Sequence, residues 1–378
     1  MTSGTTDVAG APRVPVPAHV DAPARGSAPD LAWLDWLRVL AIVGVVTIHV
    51  VGSTALAPWA RTSRLGWLAI WLDIGFVFVV PVFVMISGAL FLDPARFRGT
   101  GDFLRRRALR LLPALVVWHL VYWAFRVVYL DQEIGVRDFL ESTVTGRLYP
   151  HLYYFWVVLG LVVVTPVLVP WVATAPRRSL LLAGLCAASM PVLTVALRNG
   201  LEAAPVWVET PWTWWLFYLG LYLLGSALRD VVLRGVALVA AGTAAVLLGA
   251  LLTWQWRNPA APGWLQVVSP VSYYGLGVHV YAVLVLLVAR ALVRPGGVGR
   301  VLARPAPARV GRVLGAATLG VFCSHLLLVP VVAGIPALGG DAAAGSSVQL
   351  VARVACVLVI SYTATLVLRR VPVVRSVL

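Results

Sequence analysis

The chain has 378 residues, of which 60% are hydrophobic and 12% charged, with a mean hydropathy of +0.90. A water-soluble domain of this composition would expose apolar patches far beyond what monomeric proteins carry, so the solvent is lipid. The net charge of +15 does not point to nucleic acid, because the basic residues, all arginine, gather in alternate loops as topology signals do.

Residues 1–30 are rich in Pro, Ala and Gly and lack the apolar core of a cleavable signal peptide, which predicts a disordered cytoplasmic tail. A membrane span needs roughly 20 apolar residues. Apolar runs between charged or Pro/Gly-rich breaks place spans near 31–53, 67–92, 107–130, 151–173, 179–198, 212–228, 235–256, 271–292, 313–336 and 348–368. The expected fold is all-α, a polytopic integral membrane bundle of about ten transmembrane helices over residues 31–371, with a short cytoplasmic C-terminal tail at 372–378. One set of alternate connections holds Arg96, Arg98, Arg105–Arg107 and Arg110, then Arg177 and Arg178, then Arg229 and Arg234. It continues with Arg290, Arg294, Arg300, Arg304, Arg309 and Arg312 and closes with Arg369, Arg370 and Arg375. The other set holds most of the acids outside the tail, including Asp131, Glu133, Asp138 and Glu141. The positive-inside rule therefore puts both termini in the cytoplasm.

Ionisable side chains within a span are costly and are functional candidates by default. The first span has Arg38 and His49, eleven positions apart, which is about three helical turns. They share a face and lie roughly 16 Å apart along the axis, so one stripe joins the inner surface to the outer half of the membrane. Taken singly, Arg38 reads as an interfacial anchor and His49 as a packing residue; together on one stripe they read as a site that a single cavity would serve. Ser87-Gly88, near the inner end of the second span, allows either close approach of a ligand or tight helix packing. Arg106, Arg107 and Arg110 project from one side at the start of the third span, a face suited to phosphate groups, to anionic lipid or to topology alone. His151 opens the fourth span, His279 and His325 lie near mid-membrane, and His119 is a further candidate.

Aromatic residues crowd the outer ends of the spans, among them Tyr149, Tyr153, Tyr154, Trp156, Trp207, Trp212, Trp214, Trp215, Trp254, Trp256, Trp264, Tyr273 and Tyr274. An interfacial belt accounts for most of them, and some are expected to offer an apolar platform to an acceptor. Cys186, Cys323 and Cys356 have neither metal spacing nor a disulfide framework and are expected as buried free thiols, with no metal site.

The first-span pattern of Arg and His separated by ten residues resembles the signature of the family-3 membrane acyltransferases, which O-acetylate bacterial polysaccharides and related glycans. Further blocks resemble that family in the same order. Val80 to Leu90 is similar to its Ser-Gly helix, Phe103 to Pro113 to its basic block with Arg107 and Arg110 on the recurring arginines, and His151-Leu152-Tyr153-Tyr154-Phe155 to its His-led helix entry. Leu319 to His325 resembles its late His-ending helix. Pro81 stands where a common variant has Asp, and Phe322-Cys323-Ser324 replaces Tyr-Leu-Ile.

The resemblance implies a multi-pass protein of the bacterial cytoplasmic (inner) membrane that moves an acyl group, acetyl by expectation, from a cytosolic acyl-CoA to a hydroxyl of a cell-surface or lipid-linked glycan. In that scheme His49 and Arg38 are catalytic, with His49 the general base and Arg38 either holding the donor or stabilising developing negative charge. Arg106, Arg107, Arg110, Ser87 and Gly88 bind the acyl-CoA, and His151, His325 and His279 line the acceptor side or cavity. The partners are the bilayer, acyl-CoA and a saccharide acceptor, not nucleic acid; acetyl-CoA is a substrate, and no tightly bound cofactor is expected. The alternative from another class is a transporter or flippase for an anionic or lipid-linked molecule, with the same residues lining a path.

Overall fold

A computed structural model describes residues 31–201, 210–294, 296–339 and 345–378. The expected N-terminal tail, residues 1–30, and Trp207 lie outside the described residues. Fifteen α-helices are joined by short connections, with no strand among the described residues. In order they are α1 (Ala32–Ala55), α2 (Arg64–Gly75), α3 (Val79–Phe91), α4 (Thr100–Val128) and α5 (Val136–Val144). Next come α6 (Tyr153–Thr174), α7 (Arg177–Leu201), α8 (Trp214–Leu228), α9 (Gly235–Arg257) and α10 (Gly263–Val268). The chain ends with α11 (Leu276–Leu292), α12 (Pro305–Ala316), α13 (Thr318–Ala333), α14 (Ser347–Leu368) and α15 (Pro372–Arg375).

Seven helical segments are long and apolar enough to cross a membrane, counting α2 and α3 as one, and the bent pair α12–α13 makes an eighth. The spans expected at 212–228 and 271–292 are represented by helices of only 15 and 17 residues. At 1.5 Å per residue these reach roughly 22–26 Å, short of a hydrocarbon core of about 30 Å. Pro211 and Pro270 precede them and hold the entering chain out of the helix. The span expected at 313–336 is likewise not one rod, because α12 and α13 meet at a 57° bend.

Helix α1 is the central post. Leu37, Ala41, Ile42, Val46 and Val51 are all 0–1% exposed, and α2, α3, α11, α12, α13 and α14 all pack on it. Together α1 and α2–α3 bury 56% and 67% of their apolar stretches, whereas α4, α7 and α9 bury 17–22% and present the remainder to lipid. Cys186, expected to be buried, is exposed for this reason, since α7 belongs to the outer layer; Cys323 is buried and Cys356 partly so.

Without a hydrophobic force between helices in lipid, close contact depends on small residues. Helices α3 and α8 cross on a reciprocal pair of glycines: the open face of Gly88 meets the backbone carbonyl of Tyr222, and that of Gly225 meets the backbone carbonyl of Met85. The expectation that Gly88 receives a ligand is thus corrected, because its missing side chain makes room for α8. Polar groups are tied off across helices. Tyr222 and Thr165 share a hydrogen bond of 2.7 Å, and Tyr281 donates to the Gly75 carbonyl (3.0 Å) that the break between α2 and α3 frees. The C-terminal segment folds back on α4, where the Trp118 indole donates to Val377 O at 2.9 Å and Leu378 is 5% exposed.

The α3–α8 crossing predicts that Gly88→Ala destabilises the protein by about 1–3 kcal/mol, since backbone rather than a yielding side chain opposes the new methyl. Gly242→Ala, with open space around that position, is expected to be neutral or better. Thermal unfolding in lipid nanodiscs checks the pair; equal stability of Gly88→Ala and wild type would refute the crossing.

Candidate active site

Two cavities lie end to end beside α1. The larger, about 610 Å³, opens at the arginine-rich end of the bundle and is lined by Asp35 and Arg38 of α1, Ser87 of α3, and Arg106, Arg107 and Arg110 of α4. Arg312 of α12, and Arg369 and Arg375 of the C-terminal segment, also line it. Seven guanidinium groups therefore face one carboxylate. Arg38 is paired with Asp35 at 3.1 Å, and Arg106 with Asp102 at 2.6 Å. Arg107 stacks over the Phe91 ring at 3.9 Å, which holds its guanidinium in place without neutralising it. Among the described residues, Arg107, Arg110, Arg312, Arg369 and Arg375 form no ion pair. Like charges gathered at the edge of a low-dielectric bundle repel one another and favour an anionic occupant.

The smaller cavity, about 150 Å³, lies further along α1 and is lined by Val45, Ile48, His49, Val79, Val80, Pro150, His151, Tyr153, Tyr154, Tyr273 and Phe322. His49 is only half-buried although it lies deep in the bundle, because its ring borders this chamber. His325 sits behind it with ring centroids 5.2 Å apart, and His151 is 5.4 Å from His325. Three histidines from α1, α13 and the entry to α6 thus converge. The Nδ1 of His325 contacts the Val321 and Phe322 carbonyls at 3.1 and 2.7 Å. A carbonyl only accepts, so Nδ1 carries the proton and Nε2 keeps a free lone pair. That Nε2, and both ring nitrogens of His151, are buried without a hydrogen-bond partner among the described residues. These ring nitrogens give the chamber hydrogen-bonding capacity that a polar ligand could use. Among the described residues no group of three or more His, Cys, Asp or Glu is arranged to hold a metal ion.

Tyr154 and Phe322 line both cavities and form the partition between them, with ring centroids 5.7 Å apart in an edge-to-face arrangement. Phe322 also touches the His151 ring at 5.0 Å. The single cavity expected from the Arg38–His49 stripe is therefore two compartments with an aromatic wall, supplied by α6 and α13, which no pattern within α1 reveals.

The expected residues distribute as follows. Arg38, Ser87, Arg106, Arg107 and Arg110 line the basic vestibule, while His49 and His151 line the histidine chamber with His325 packed against them. His279 lines neither cavity; its Nε2 bonds the Tyr273 carbonyl at 3.0 Å, so it braces the loop entering α11. His119 bonds Leu115 O at 2.7 Å within its own helix. Arg312, Arg369 and Arg375, counted in the sequence only as topology charges, prove to face the vestibule. Asp35 was visible three residues before Arg38, and Tyr154 and Phe322 stood inside noted blocks without a distinguishing signal of their own. Arg353, a charge within α14, is buried and donates to Leu338 O at 2.8 Å, outside both cavities.

A scan against protein-family models matches the acyltransferase 3 family, described as an acyltransferase domain, over residues 31–370. No curated protein and no solved structure matches the chain significantly. The match spans every described helix from α1 to α14 and takes in the histidine chamber, the wall and all of the vestibule lining except Arg375, Ser376 and Leu378, so the chain belongs to the acyltransferase 3 family of membrane acyltransferases.

Proposed function

We propose that the chain transfers a short acyl group, acetyl by expectation, from acyl-CoA to a hydroxyl of a cell-surface or lipid-linked glycan across a bacterial cytoplasmic membrane. One observation carries this reading: a basic cavity and a histidine chamber share Tyr154 and Phe322 in their linings. The arginine-rich end faces the cytoplasm, where the positive-inside rule puts it and where acyl-CoA is found. Phosphates are held by Arg107 and Arg110, whose guanidinium forks suit phosphate oxygens. The pantetheine arm runs past Ser87, and the thioester reaches His49 when the Tyr154 and Phe322 rings part.

The acceptor hydroxyl enters the chamber from the opposite end, where Tyr153 and Tyr273 offer ring faces. His49 takes the hydroxyl proton as the oxygen attacks the thioester carbon, and the same proton passes to the departing sulfur, leaving an ester and free CoA. His151 supplies further polar atoms for the hydroxyl, and His325 packs behind His49 and His151. Of the two roles open to Arg38, holding the donor fits this scheme. It stands with the vestibule arginines, roughly 16 Å along α1 from His49. From there it holds the donor and does not stabilise charge at the reacting carbon.

His49→Ala is expected to lower turnover about 10²–10⁴-fold while leaving the KM for acyl-CoA within a few-fold. Arg107→Gln with Arg110→Gln should instead raise that KM. Purified enzyme with labelled acetyl-CoA, and mass spectra of glycans from cells with and without the protein, check both. Transport of a labelled solute without acyl transfer would support the transporter reading instead. Phe322→Ala opens the wall, and release of CoA thiol without any acceptor is expected to rise several-fold as water reaches the thioester. Unchanged hydrolysis would refute the barrier role of Phe322.

A further inference from the structure

The α4 arginines account for one side of the vestibule and leave three guanidinium groups without a task. Arg312, Arg369 and Arg375 line the same cavity from other walls, and among the described residues none forms a salt bridge, although Asp35 attracts Arg312 at longer range. On the α13 wall, Phe322 marks the inner limit of the cavity. Thr318, Gly315 and finally Arg312 follow toward the opening, with the 57° bend between α12 and α13 intervening. Arg312 and Arg375 are exposed and Arg369 is half-buried. Arg106 and Arg110 of α4 are exposed as well, and Arg369 is near enough to Arg110 for their charges to interact, so the two sets face each other at the opening, with Arg312 ten residues along the chain from Phe322. The segment that carries Arg375 is fixed in place, because Val377 O accepts from Trp118 of α4 at 2.9 Å and Leu378 is buried beside Ala114, Leu115 and Trp118. Two arginine faces thus line the opening of one cavity, one from α4 and one from α12 and the C-terminal segment.

On the reading that the vestibule takes acyl-CoA, the donor carries two separate anionic groups. A diphosphate lies partway along the molecule, and a phosphomonoester sits on the ribose at the end remote from the thioester. With the thioester at the Tyr154–Phe322 wall, the remote end lies at the mouth. We propose that Arg312, Arg369 and Arg375 form a second phosphate subsite that recognises the terminal ribose phosphate of the donor and separates CoA from its dephospho form. A phosphomonoester near neutral pH carries between one and two charges and three acceptor oxygens, which matches several convergent guanidinium forks. An anionic lipid headgroup presents similar chemistry at the same depth, so the test must tell the two apart.

The test is calorimetric binding of CoA and of 3′-dephospho-CoA to the full chain in zwitterionic nanodiscs. Wild type is expected to bind CoA at least about tenfold more tightly than the dephospho form. In Arg312→Gln, and in Arg369→Gln with Arg375→Gln, that preference should collapse while affinity for dephospho-CoA stays within about twofold. Arg312→Lys should keep part of the preference, since charge survives and the fork does not, and it also guards against a variant that fails to fold. Equal affinity of wild type for the two ligands overturns the subsite, as does an equal loss of both ligands in the variants. A preference that is absent in zwitterionic discs, together with Arg-dependent stabilisation of the protein only in discs containing phosphatidylglycerol, assigns the arginines to lipid and overturns it too. If wild type binds neither nucleotide, the acyl-CoA reading itself fails.

Discussion

Lipid tolerates a charged or strongly polar side chain only where the protein encloses it, and α1 carries two such residues on one stripe. The fold meets that constraint by placing α1 at the centre and surrounding it with α2, α3, α11, α12, α13 and α14. The stripe then faces protein along its whole length, with Arg38 beside Asp35 at one end and His49 beside His325 further along. The outer helices α7 and α9, and α4 on the side away from its vestibule arginines, shield this arrangement from lipid, which is why so much of their surface is apolar and exposed. Close approach of the inner layers depends on glycine: the reciprocal contact of Gly88 and Gly225 draws α8 against α3, and Tyr222 then reaches Thr165 on α6.

The division into two compartments follows from what each must hold. Guanidinium groups need an anion or water around them, whereas an imidazole serving as a base is best kept neutral and dry. Tyr154 and Phe322, rings from different helices in edge-to-face contact, stand where the two environments meet. The bend between α12 and α13 contributes to the same end. It turns α12 across the basic end, where Trp36 donates to Leu302 O at 3.2 Å and Gly311 makes room for the Trp36 ring.

Much of this was legible in the sequence wherever a function depends on spacing within one helix. The Arg38–His49 stripe and the Arg106, Arg107, Arg110 face are of that kind, and all five residues stand where their helical periodicity put them, at one cavity or the other. Features that arise between helices were not legible. Gly88 as a ligand contact and Gly88 as a packing contact have the same local sequence, and only the position of α8 decides. His279 and His325 look alike in an apolar run, yet one braces a loop and the other meets His49 and His151. Arg312, Arg369 and Arg375 satisfy the positive-inside rule whether or not they face a cavity, so their place at the cavity needed the bend of α12 and the return of the C-terminal segment to α4. The short helices α8 and α11 were hidden too, because apolar runs continue past the prolines that limit them.

The central claim is that one donor molecule occupies the basic vestibule and reaches the histidine chamber through the Tyr154–Phe322 wall. A structure of the chain in lipid with a non-hydrolysable acetyl-CoA thioether analogue tests it most directly. The account predicts phosphate density at Arg107 and Arg110, the two rings displaced, and the acyl carbonyl in the chamber beside His49. Density for the nucleotide at the other end of the bundle, or an acyl group lodged away from His49 with the wall still closed, would contradict it.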